Sequence, residues 1–171
     1  HSNAVVTLVD SAGNSARALR QQEHFFGELP VTNYLGPVWL DITNYAVLDT
    51  ETDQVITNNS GAVLIPPTPQ VYGHDANGNL LSDGLWVRTW NAENRMMRVE
   101  SASGVSVQAR KREDWTYLPD GRWIERIVST NNGTAYVAAY TNRYVWDGKV
   151  LLAILNHTNG LVMSFMRDGV L

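Results

Sequence analysis

With 171 residues, 19.1 kDa and a formal net charge of −4, the chain is long enough for one domain with a core of its own. The negative balance excludes a general nucleic-acid binder, which needs clustered Lys and Arg against phosphate. The absence of cysteine excludes disulfides, thiolate metal sites and cysteine nucleophiles. No apolar run approaches the ~20 residues that cross a bilayer.

In chain order, residues 4–26 hold two apolar runs around Asp10-Ser11-Ala12-Gly13-Asn14, a composition that turns a hairpin. Residues 15–26 contain good helix formers, Ala16, Ala18, Leu19 and Gln21 among them, with Ser15 placed to cap. Their β neighbours favour strand all the same. Strand-like runs follow at residues 38–42, 45–48 and 62–65, and the polar stretch 49–61 reads as a loop. Pro66-Pro67-Thr68-Pro69 is a stiff, extended connector. It is the best internal joint in a single domain spanning 1–171.

The run from His74 to Glu100 carries the most information. Asn77-Gly78 and Asp83-Gly84 are tight-turn signals, because glycine reaches positive φ at no steric cost. Along the strand after them Trp86, Arg88 and Trp90 share one face, while Leu85, Val87 and Thr89 share the other. Further on, Asp120-Gly121-Arg122-Trp123 echoes Asp83-Gly84-Leu85-Trp86, and Asp147-Gly148 and Asp168-Gly169 echo it more faintly. Asn159-Gly160 sits between two apolar runs and marks a further hairpin. The spacing is too irregular for a strict solenoid and fits hairpins with loops of unequal length.

Three stretches carry a likeness: His74-Asp75-Ala76-Asn77-Gly78-Asn79-Leu80, then Asn91-Ala92-Glu93-Asn94-Arg95, then Asn142-Arg143-Tyr144-Val145-Trp146-Asp147-Gly148. Together they resemble the YD-repeat, or RHS-repeat, family of bacterial surface proteins and toxin shells. His74 stands in the usual tyrosine place, as do Leu118 and Trp146 in later units. The resemblance implies an all-β fold of successive antiparallel hairpins in a curved or spiral sheet. A piece of this length would close as a small sandwich or barrel, or be completed by oligomerisation. It also implies a bacterial cell-surface or secreted setting. The partners would be the rest of a longer polypeptide or other copies of the chain, with no nucleic acid and no membrane span.

Candidate chemistry is sparse. His1, His24, His74 and His157 show no metal-ligand spacing. Asp75, Asn77 and Asn79 alternate as in a calcium loop, yet the later bidentate glutamate is missing and Asx-turn bonding accounts for them. No metal site and no cofactor are expected. Asp83 with Glu93, or Asp114 with Glu125, could act as a glycosidase pair if a cleft brought them together. Glu93 and Arg95 read better as loop residues holding the hairpin by hydrogen bonds or a salt bridge. Arg110-Lys111-Arg112 reads as a solvated strand start or loop rather than a phosphate site. The aromatics remain: Trp86, Trp90, Trp115 and Trp123, with Arg88 and His74, are the candidate face for a glycan or small ligand, and Arg88 between Trp86 and Trp90 suggests cation–π stacking. A structural shell or scaffold module is the first functional expectation. A carbohydrate- or small-ligand-binding module is the second, and a hydrolase with a site between hairpins or subunits the third.

Overall fold

The computed structural model describes residues 4–165. Among them every regular element is a β-strand except one 3-10 turn at Val107–Ala109, and all pairings are antiparallel. The chain divides into two compact units, His1–Pro69 and Gln70–Leu171, with the boundary at the end of the proline-rich connector. The expected turn at Asp168-Gly169 lies outside the described residues.

The first unit contains β1 (Ala4–Asp10), β2 (Ser15–Arg17), β3 (Leu19–Gln21), β4 (His24–Phe26), β5 (Val38–Asp49) and β6 (Gln54–Ile65). A four-stranded sheet runs in the order β2-β1-β5-β6, and β3-β4 forms a separate two-stranded ribbon. Residues 15–26 are therefore strand, as their neighbours suggested, although their own propensities allow a helix. The polar loop expected at 49–61 is a correction. Only residues 50–53 turn; Asp49 ends β5, residues 54–61 belong to β6, and the register against β5 is unbroken from Asp49↔Gln54 to Val38↔Ile65. Polar Thr57, Asn58, Asn59 and Ser60 are compatible with a strand because β6 is exposed along most of its length. Their hydroxyls and amides can also pair across the ladder, as Thr43 and Ser60 do at 2.9 Å. The same pairing fuses the two runs at 38–48 into one strand.

The second unit is a nine-stranded meander: β7 (Gly73–His74), β8 (Leu80–Ser82), β9 (Trp86–Trp90), β10 (Met96–Ser101), β11 (Lys111–Tyr117), β12 (Trp123–Asn131), β13 (Tyr136–Asp147), β14 (Val150–Leu155) and β15 (Leu161–Ser164). Every strand pairs with its neighbours in sequence, so the sheet is laid down hairpin by hairpin. Neither it nor the four-stranded sheet closes into a barrel, and the expectation of barrel closure is set aside. Apolar burial is thin: among the described residues Ala18, Leu40, Val105 and Val128 form the fully buried apolar set.

The connections show a regularity that glycine spacing hides. Residues 10–14, 75–79, 91–95, 118–122 and 156–160 form the same five-residue turn. In each, the first residue's N–H donates to the fifth residue's carbonyl at 2.8–3.0 Å, and the fourth residue's N–H donates to the first residue's carbonyl at 2.9–3.1 Å. The fourth residue always lies in the left-handed region, at φ 89° for Gly13, 85° for Gly78, 57° for Asn94, 93° for Gly121 and 63° for Asn159. Glycine and asparagine tolerate that conformation best. Asp120-Gly121 is thus not equivalent to Asp83-Gly84. Asp120 is third in a five-residue turn, whereas Asp83 begins a tighter one closed by its N–H to the Trp86 carbonyl at 3.3 Å. By the same geometry Leu118 matches Asp75, and Tyr117 rather than Leu118 matches His74.

Candidate functional site

Register places the predicted aromatic face. Arg88, Val99, Glu113 and Val128 stand opposite one another across β9 to β12, and Trp115 stands opposite Arg126. Trp86, Arg88, Trp90, Val99, Glu113, Trp115, Arg126 and Val128 therefore share one face of the nine-stranded sheet. The other face is ionic: Arg98 meets Asp114 at 2.6 Å, and Arg112 meets the same carboxylate at 2.9 Å. The basic cluster is dispersed by this alternation. Arg110 clamps its own loop by donating to the Val105 and Ser103 carbonyls, Lys111 opens β11, and Arg112 lies 5.0 Å from the Tyr136 ring.

On the aromatic face a shallow hollow of about 300 Å³ is lined by Trp86, Arg88, Met96, Val99, Lys111 and Glu113. Of the predicted ligand residues, the hollow brings together Trp86 and Arg88. Trp90 lies beside it, its indole N–H spent on the Leu80 carbonyl at 2.9 Å. Trp115 is half-buried on β11, two residues beyond Glu113, and does not line the hollow. Trp123 is 45 % exposed and meets Tyr144 edge-on at 5.8 Å. His74 is exposed on the short edge strand β7, in register with Leu80, and does not line the hollow.

Arg88 differs from its expected role. Its Nη2 donates to Asp83 Oδ2 at 2.7 Å, so the guanidinium serves an ion pair rather than a ring stack. Burial pushes the Asp83 carboxyl up, but the Arg88 bond and the backbone N–H groups of Trp86 and Leu85 outweigh it and hold the group below the ordinary value. The second guanidinium nitrogen, Nη1, is buried with no partner. Glu113 accepts from Arg126 at 2.7 Å. Burial disfavours the Arg126 charge, yet Glu113 more than compensates and its pKa is raised. Sequence could suggest that Lys111 and Glu113 share a face. Which strand supplies the opposite wall depends on register across the long β10–β11 connection, and no local signal carries that.

Hydrolytic chemistry finds little support in this geometry. The two proposed carboxylate pairs are engaged by arginines: Asp83 by Arg88, Glu93 by Arg95 at 2.9 Å, Asp114 by Arg98 and Arg112, and Glu125 by Arg143 at 3.1 Å. A glycosidase acid needs the opposite environment, one that keeps a proton on the carboxyl, and Asp83 is shifted the other way. His24, His74 and His157 lie on three different hairpins. Among the described residues no three His, Asp or Glu side chains converge as a metal site would require. The calcium-like alternation at 75–79 is consumed internally: Asp75 Oδ1 accepts from the Asn77 and Asn79 N–H groups, and Oδ2 accepts from the Asn79 amide.

The richest chemistry instead runs along one end of the sheet. In a sequential meander the β7–β8, β9–β10, β11–β12 and β13–β14 connections fall at the same end. Each of the first three hands donors to the next. Asn79 donates to Asn94 Oδ1 at 2.7 Å, joined by Asn77 at 3.1 Å. Arg95 donates to the Leu118 and Pro119 carbonyls at 3.1 Å each. Arg122 donates to the Gly148 carbonyl and lies 5.9 Å from the Trp146 ring. Asn79, Arg95 and Arg122 are all the fifth residue of their turn. The result is a rail of linked turns built by one rule.

No family model and no curated protein matches the sequence. Among the described residues no helix is long and apolar enough to cross a membrane.

Proposed function

We propose that the chain is a structural module, a length of antiparallel sheet serving as wall or scaffold in a larger surface or secreted protein of the YD/RHS type. The observation that carries this reading is the rail of turns. A turn that recurs at three alternate connections along one end of the sheet, and that passes a donor from its last residue to the next connection, is a device for extending a sheet sideways. It asks nothing of a substrate. The engaged carboxylates and the indole N–H groups of Trp90 and Trp146, bonded to the Leu80 and Trp123 carbonyls, agree with residues employed in holding a sheet. The larger polypeptide is the natural partner under this reading.

The hollow at Trp86 and Arg88 supports a second reading, a binding module for a small amphipathic ligand such as a glycan. Its wall combines an indole, Met96 and Val99 with Lys111 and Glu113, the mixture that ligand pockets use. Tryptophan fluorescence separates the two. For a wall module, a panel of oligosaccharides leaves the emission unchanged, while hydrogen exchange shows Arg95→Ala loosening amides at residues 91–95 and 118–122. A saturable emission change abolished by Trp86→Ala would overturn the wall reading in favour of binding.

A further inference from the structure

The sheet edges are guarded unequally. At the described edges of the two sheets stand β2 with 3 residues, β7 with 2 and β15 with 4, whereas β6 runs for 12. Short edge strands and edge charges are the usual defences against strand addition. β6 has neither, since Gln54-Val55-Ile56-Thr57-Asn58-Asn59-Ser60-Gly61-Ala62-Val63-Leu64-Ile65 contains no charged residue and no proline.

The direction of its free backbone groups follows from register. Ser11 N–H donates to the Asp41 carbonyl, so odd-numbered β5 residues bond toward β1 and even-numbered ones toward β6. With Ile42 opposite Gly61, the odd-numbered residues of β6 bond inward. Ile56, Asn58, Ser60, Ala62 and Leu64 turn their N–H and C=O groups outward, whereas the Gln54 N–H is taken by Asp53 Oδ1 at 2.7 Å. The side-chain pattern is symmetric about Ser60: apolar Val55 and Ile56 at one end, Val63, Leu64 and Ile65 at the other, and polar or small residues between.

We propose that β6 pairs with β6 of a second copy, antiparallel about a two-fold axis at Ser60. An antiparallel ladder joins two outward-bonding residues, and pairing Ser60 with Ser60 satisfies that parity. The same register sets Ile56 opposite Leu64, Val55 opposite Ile65 and Thr57 opposite Val63, each twice by symmetry. Pro66, which lacks an N–H, ends the ladder where it would otherwise meet Gln54. The absence of charge means that self-pairing places no like charges face to face. A second copy is therefore a better occupant than an acidic or basic partner strand. This pairing stands whether or not the module reading holds.

Light scattering on the whole chain reads the outcome. The expected mass is twice that of the chain, falling to the single-chain value for Ile56→Lys with unchanged far-UV circular dichroism. Ile56 is 62 % exposed, so the lysine meets solvent in the single chain. Because the sequence has no cysteine, Ser60→Cys under mild oxidation is expected to give a disulfide-linked pair, and Asn44→Cys on β5 is not. If Ile56→Lys fails to fold, the Ser60→Cys result decides. A single-chain mass at the highest soluble concentration, a dimer that survives Ile56→Lys, or cross-linking at Asn44→Cys equal to that at Ser60→Cys would overturn the proposal.

Discussion

The β5–β6 hairpin and the nine-stranded meander are both antiparallel, but they are held by different means. The hairpin relies on length. Its twelve-residue strands share an unbroken ladder, and its turn is closed internally, with Asp53 N–H donating to Thr50 Oγ1 at 2.9 Å and Gln54 donating to Asp49 at 2.7 Å. The meander's strands are mostly shorter, β13 alone matching those twelve residues; six of its pairings are bulged, seven side-chain ion pairs lie among its described residues, and its turns are tied to one another. Where each strand contributes few ladder bonds, cohesion comes from side chains that reach across to the next hairpin. Exposed ion pairs contribute about 0–1 kcal/mol each. The half-buried links between turns and within loops matter more.

The largest expected effect breaks that contrast at its most buried link. Asp83→Ala removes the partner of Arg88 and leaves a guanidinium whose Nη1 is already without one. Stranding a buried charge costs about 3 kcal/mol. Chemical denaturation followed by tryptophan emission reads it, since five of the six tryptophans lie in the second unit. Hydrogen exchange in β5 and β6 is expected to stay at the native level. Equal loosening in both units would show that the contrast between them is not local. Arg95→Ala comes next, removing two bonds to carbonyls and the Glu93 pair at a cost of about 1 kcal/mol. Arg95→Lys keeps the charge but loses the forked geometry and is expected to recover only part of the loss.

How much of this could be read from sequence depends on range. Strand alternation and turn composition are local, so the face shared by Trp86, Arg88 and Trp90 and the turns at Gly13, Gly78 and Gly121 were legible. The recurring turn was partly hidden because the chemistry of its fourth position is shared by glycine and asparagine. Asn94 and Asn159 therefore do not look like Gly78 to a reader following glycine. β6 was hidden because exposed edge strands need no apolar face; Thr57, Asn58, Asn59 and Ser60 look like a loop until β5 supplies the ladder. The hollow required the register of β10 against β11, set by a nine-residue connection that Arg110 folds and Val105, 1 % exposed, anchors.

A smaller effect sharpens the comparison from the first unit. Gln22 holds φ 56° at the first central position of the two-residue β3–β4 turn, a place where glycine is favoured. Asn94 and Asn159, which share that left-handed region, turn it to use, since Asn94 accepts from Asn77 and Asn79 and Asn159 accepts from Arg143 at 2.8 Å. Gln22→Gly relieves the strain while adding freedom to the unfolded chain, for a net gain of about 0.5 kcal/mol. Asn94→Gly is expected to lose stability, because relief of strain does not replace its two cross-turn bonds. Thermal unfolding of the two variants gives shifts of opposite sign if the rail matters. Shifts of the same sign would remove Asn94 from it.

The finest distinction concerns the head of each turn. The Asn14 amide beside Asp10 and the Asn79 amide beside Asp75 hold those carboxyls below the ordinary value, aided by backbone N–H groups and opposed by burial. Both aspartates thus release their protons more readily folded than unfolded. Their contribution to stability is present above the ordinary carboxylate value of about 3.9 and is lost as pH falls through the lowered folded value. Asn91 and Asn156 fill the same position, accepting from the same pair of turn N–H groups with an amide oxygen, and an amide does not titrate. Asp75→Asn should therefore weaken the chain at neutral pH, with the deficit shrinking as pH falls below the ordinary carboxylate value, and Asp10→Asn should behave alike in the first unit. Denaturation midpoints across pH 2–7 measure the gap between parent and variant. A gap that does not narrow in acid would mean that the aspartates act through shape alone, and that turns headed by Asp10 and Asp75 are held in the same way as those headed by Asn91 and Asn156.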